Sequence, residues 1–167
     1  MTAAFATPVP TWSAIVAALD EDPTDTRWAF KLTVQCRDHL RGALDGAEHV
    51  GVLGSVDPKA WARDPGTTAP KRLEGQARPR RSPRDVPGGP EGPGGMYQPW
   101  HVLLGVLIGH EYEEAGREAP AWTKKLRMKN EWVMSTSLMS DQQVRSTAPE
   151  WLSERGIFIS PRDLAGR

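Results

Sequence analysis

The stretch GHEYEE, residues 109 to 114, holds the side chains best suited to chemistry. On a helix His110 lies three residues from Glu113 and four from Glu114, so an imidazole and a carboxylate share one face, as a metal site or an acid and base pair requires. The pattern is incomplete for zinc hydrolysis, which needs a second His four residues after the first, and position 114 is Glu. His39, His49 and His101 could complete a ligand set only by converging from elsewhere in the chain. The competing reading is the polar end of a helix leaving the core, and the sequence favours it. A metal-dependent enzyme centred on His110 and Glu114 stays as an alternative.

Other reactive groups are less well placed. Cys36 is the only cysteine, which excludes an intrachain disulfide and a cysteine cluster, and it falls on an apolar face where a buried thiol is inert. No GxSxG nucleophile elbow is present. The glycines between 88 and 95 alternate with prolines, lack a GK[ST] ending and follow no strand, so they do not read as a phosphate-cradling loop. The expected sets of catalytic residues, cofactors and metals are therefore empty.

Two features point to binding instead. Lys71, Arg72, Arg78, Arg80, Arg81 and Arg84, relieved only by Glu74, form a cationic arm. It reads as a solvated linker, as a contact for nucleic-acid phosphates, or as a dock for an acidic protein. There are also seven tryptophans, more than a small core easily buries, and Trp is enriched at the energetic centres of protein interfaces. Trp61, Trp122 and Trp132 lie in weakly periodic segments and are the candidates for a partner surface, with loops covering the core as the equal alternative.

The elements that must position these groups follow from pattern. Thr11 reads as the N-cap of a helix carrying Trp12, Ile15, Val16 and Leu19 on one face. In residues 24 to 46, Trp28, Phe30, Leu32, Val34 and Cys36 alternate like a strand, while Trp28, Leu32, Cys36, Leu40 and Leu44 form an i, i+4 stripe; the stripe's length and Gly46 beyond it favour helix. Residues 67 to 95 are crowded with Pro, Gly and Arg and cannot bury enough apolar surface to offset their ordering entropy. Pro99 then sits near the start of a helix that is apolar almost all round, so it belongs in the middle of the fold, and Gly116 ends it. An irregular connection and a short helix around Leu138 to Arg145 come next. At the C-terminal end, Ala148 and Pro149 open a helical turn with Trp151 and Leu152, Gly156 stops it, and Ile157 to Ile159 extend. Ser160 then caps a turn begun by Pro161, with Asp163 in its first turn.

Lys plus Arg and Asp plus Glu are balanced at 21 each, so no global field drives the chain toward nucleic acid or membrane. The N-terminal MTAAFATPVPTW lacks the basic and apolar regions of a signal peptide. The longest apolar run, His101 to Gly109, is about half of the roughly 20 residues a spanning helix needs. A cytoplasmic location and no membrane partner are expected.

The series PAWT (Pro120 to Thr123), Trp132, an AP pair at Ala148 and Pro149, RGIFI (Arg155 to Ile159) and Leu164, preceded by a Leu-rich helix from Leu103, resembles small proteins of high-GC bacteria. Some of these look like the antitoxin halves of toxin-antitoxin pairs, including pairs with a nucleotidyltransferase-like toxin. The resemblance implies a non-catalytic protein that binds and restrains a protein partner, and it carries over no catalytic residue.

The sequence thus predicts a mainly helical fold with a short C-terminal extended segment. Residues 1–63 form an N-terminal helical block, 64–97 a flexible basic insertion, and 98–167 a C-terminal block that packs with the first as one domain. The expected function is a cytoplasmic, antitoxin-like inhibitor or accessory subunit. The alternatives are a nucleic-acid-binding accessory protein using residues 71–84, and the metal-dependent enzyme.

Overall fold

The computed structural model of the chain describes residues 7–45, 61, 63–67, 95–134 and 138–165. The fold is mainly helical, with a small parallel two-stranded sheet near its C-terminal end.

Helix α1 spans Pro8–Glu21, and its N-cap position is Thr7, four residues before the expected cap. Prolines suit a first turn because its amides have no intrahelical acceptor and the ring presets φ. Thr11 therefore lies inside the helix, buried, where its hydroxyl faces the thiol of Cys36. Trp12, Ile15 and Leu19 are buried as their spacing predicts.

Helix α2 spans Thr26–Asp45, so the helical reading of the ambiguous stripe holds. It buries Ala29, Thr33, Cys36 and Leu40. Trp28 departs from the expected stripe: it is 44% exposed, with the Lys31 ammonium 5.1 Å from its ring. The proposed cap Gly46 lies outside the described residues.

The two ends of the stretch assigned to the insertion belong to the ordered fold. Pro65–Thr67 and Gly95–Tyr97 are short 3-10 turns, and the Tyr97 hydroxyl donates to the Asp20 carboxylate of α1. Helix α3, Gln98–Glu114, follows with a proline in its first turn. Every residue from Trp100 through Gly109 is buried, as an all-round apolar helix demands. Gly116, at φ +68, provides the left-handed turn that ends it.

A single turn, α4 (Ala121–Lys124), leads to strand β1 (Trp132–Met134), which the sequence reading had as irregular connection. Helix α5 (Asp141–Thr147) opens with a capping box: the Ser140 hydroxyl accepts the Gln143 amide, and the Gln143 side chain accepts the Ser140 amide. The final three devices form as predicted. They are α6 (Glu150–Ser153), strand β2 (Ile157–Ile159), and α7 (Pro161–Leu164), where the Ser160 hydroxyl accepts the Asp163 amide at 3.2 Å.

β1 and β2 pair in parallel, with Trp132 opposite Ile157 and Met134 opposite Ile159. Those four side chains share the face turned to the core, and Trp132 meets Trp100 of α3 edge to face at 5.1 Å. Helix α5 packs on both strands, and its Arg145 lies over the Phe158 ring at 4.7 Å. Helices α1 and α2 cover α3 elsewhere, and residues of α1, α2, α3 and both strands join one core cluster. No helix among the described residues is long and apolar enough to cross a membrane.

Candidate protein-interaction surface

Among the described residues, His110, Cys36 and Glu111 each contact neighbouring elements of the fold. His110 stacks flat on Trp151 of α6, with ring centroids 3.8 Å apart and planes 6° from parallel. Its Nε2 lies 4.0 Å from the exposed Glu114 carboxylate. His110 and Trp151 line a cleft of about 110 Å³ with Glu113, Thr123, Glu154 and Arg155, and Glu114 lies outside that lining. Among the described residues no three His, Cys, Asp or Glu side chains could share a metal. Cys36 is fully buried, and that burial pushes its thiol up to about 12 despite the opposing Thr11 hydroxyl, so it is not a thiolate at neutral pH. Glu111, the one buried carboxylate of α3, accepts two bonds from Arg41 of α2 at 2.6 and 2.9 Å.

A second imidazole and carboxylate pair, which the sequence reading missed, lies deeper. His101 is 2% exposed, and its Nε2 sits 2.8 Å from Asp64 Oδ1. Trp12 meets the ring edge-on at 5.4 Å and Trp122 lies tilted against it at 5.8 Å. Asp64 also accepts the Gly66 amide. Burial pushes the Asp64 carboxyl up, but the bonds from His101 and Gly66 and the His101 charge outweigh it and hold the group below the usual carboxylate range. His101 and Asp64 are 37 residues apart, so no local spacing could reveal them. The only hint was an imidazole within an otherwise apolar helix.

The tryptophans proposed as partner contacts are packing groups to different degrees. Trp61 is 1% exposed, and its carbonyl accepts the Trp122 indole N–H at 3.2 Å. It offers almost no surface in this fold, because its side chain is part of the core cluster. Trp122 and Trp132 are half-buried against the same core. Lys71, Arg72, Arg78, Arg80, Arg81 and Arg84 lie outside the described residues.

Comparison with protein-family models, curated proteins and solved structures returns no match.

The exposed groups gather elsewhere. Leu138, four residues past β1, is 74% exposed, the highest value among the large apolar residues described as exposed, ahead of Trp28 and Met96. The approach to β1 carries exposed Lys124, Lys125, Arg127 and Lys129. Lys124 is paired with Glu118, and Arg127 donates to the Glu154 carbonyl. Arg145 takes up Glu131. Lys125 and Lys129 have no carboxylate partner among the described residues. This basic stretch lies forty-odd residues beyond the arm that had drawn notice for charge.

The strand itself completes the surface. Because Trp132 donates to the Gly156 carbonyl at 2.8 Å, the alternation of a parallel ladder turns the backbone of Trp132 and Met134 toward β2 and that of Val133 away. The Val133 N–H and C=O have no hydrogen-bond partner among the described residues. All three β1 residues are half-buried, whereas Ile157 and Ile159 of β2 are fully buried, so β1 is the more exposed of the two strands.

Proposed function

We propose that this chain is a non-catalytic, cytoplasmic protein-binding subunit that restrains its partner in the manner of an antitoxin. The observation that supports the reading best is the sheet. Parallel sheets are ordinarily covered and extended on both sides, and two strands alone are marginal. Among the described residues β1 has no strand on its outer edge, which lies beside an exposed leucine and lysines without a carboxylate partner. The reactive side chains speak for the same reading from the other direction, since His101, His110, Cys36 and Glu111 each serve packing or a structural pair.

The test is recovery of the full chain at native expression level, identification of a protein bound to it, and reconstitution of the purified pair. A stoichiometric complex whose formation suppresses the partner's activity is expected. A chain that stays solitary and monomeric, or one that itself turns over a substrate, would overturn the proposal.

A further inference from the structure

We infer that the outer edge of β1 takes an acidic, extended segment of a partner protein as a third strand of the sheet. This deepens the protein-binding reading above and rests on it. A sheet edge exposes a row of donors and acceptors, and adding a strand satisfies them with main-chain bonds while flanking side chains select the partner. At this edge Val133 presents both an N–H and a C=O, which a peptide matches with a C=O and an N–H of its own.

Charge then selects the occupant. Lys125 and Lys129 lie on the chain leading into the strand with no carboxylate partner among the described residues, so Asp or Glu on an incoming strand would supply one. Leu138, just past the other end of β1, adds an apolar contact that an acidic peptide with interspersed aliphatic residues would cover. Nucleic acid fits less well. Phosphates accept hydrogen bonds but cannot donate to the Val133 carbonyl, a leucine gives them nothing, and the balanced formal charge of the whole chain supplies no long-range pull.

The experiment uses the full chain and a short soluble peptide of alternating Glu and Val, with a Lys and Val peptide and a single-stranded oligonucleotide as rivals. Binding is followed by fluorescence anisotropy and by backbone amide NMR. The Glu and Val peptide should bind, shift the Val133 amide, and weaken as salt rises. Val133→Pro removes the outward N–H while leaving the amides that face β2, a substitution that edge strands tolerate. It should weaken peptide binding at least tenfold, as should the double variant Lys125→Glu with Lys129→Glu, whose sites are exposed and outside the core.

No binding of the acidic peptide, or binding indifferent to both variants, overturns the inference. So does an oligonucleotide that binds more tightly than the peptide and ignores Val133→Pro. A purified native partner that holds both variants as tightly as the parent chain would discard this surface while keeping the protein-binding reading. Peptide binding that follows the expected pattern in a chain with no native partner would do the reverse.

Discussion

Asp64 shows how a single carboxylate can fasten a chain segment. Its oxygen binds both the His101 ring and the Gly66 amide at 2.8 Å, and these contacts hold its pKa below the usual range against the opposing effect of burial. A carboxyl depressed in the folded state contributes stability above its unfolded pKa, about 3.9, and that contribution is lost as pH falls through the lower folded value. Replacing it with Asn removes the charge and keeps the shape. The stability gap between the parent chain and Asp64→Asn should therefore be widest near pH 6 and narrow as pH falls below about 4. Urea unfolding at both pH values measures it, and a gap that widened toward acid would contradict the assigned direction. Through the Gly66 amide and the His101 ring, Asp64 ties the Pro65–Thr67 turn to α3, which is why described structure reaches into residues that composition alone gives to the insertion.

Among the elements, α3 is the tightest packed, and Gly105 reports it. A Cβ there would fall 2.0 Å from Leu126 Cδ1 and 2.7 Å from Trp122 Cζ3. The leucine methyl can rotate away. The Trp122 ring cannot, since it lies against His101 and its indole N–H is tied to the Trp61 carbonyl. Gly105→Ala gains roughly 1 kcal/mol of helix propensity but overpacks a site where such strain costs roughly 1 to 3 kcal/mol. A net loss of about 1 kcal/mol is expected by chemical denaturation, and a stabilised variant would show that Trp122 is free to move. The elements also mark what the sequence could disclose. α3 was legible because apolar residues surround it on every side, and the C-terminal caps because Ser160, Pro161 and Asp163 act within one turn. The stripe on α2 misled at Trp28, because each i+4 step drifts about 40° around a helix of 3.6 residues per turn. By the time Cys36 and Leu40 face inward, Trp28 has swung into solvent. β1 was illegible because three residues carry no period, and their partner strand lies 25 positions later. The open edge, and with it the candidate surface, could not be seen before that pairing.

Across the whole molecule, two arginines of α2 bind the early helices to the late ones. The buried Arg37 donates to the Leu164 carbonyl at 2.8 Å, and Arg41 grips Glu111 with both arms of its guanidinium. The second pair is asymmetric: the Glu111 side chain is 6% exposed and the Arg41 side chain 53%. Arg41→Leu strands a carboxylate in the interface between α2 and α3, whereas Glu111→Leu leaves an arginine that can turn into water. Removing one partner of a fully buried pair costs roughly 3 to 5 kcal/mol, and the exposure of Arg41 places this pair below that range. Arg41→Leu should therefore cost about 2 kcal/mol and Glu111→Leu about 1 kcal/mol or less. The double variant should recover most of the larger loss, because two leucines beside Leu44 replace a desolvated pair with apolar contact. A double-mutant cycle by urea unfolding reads all three values. Because α2 and α3 share one core, the loss should appear as a shift of one cooperative transition rather than as early melting of either block. Equal costs for the two single variants would show that Glu111 reaches water as readily as Arg41, and two separate transitions would show that the blocks fold independently.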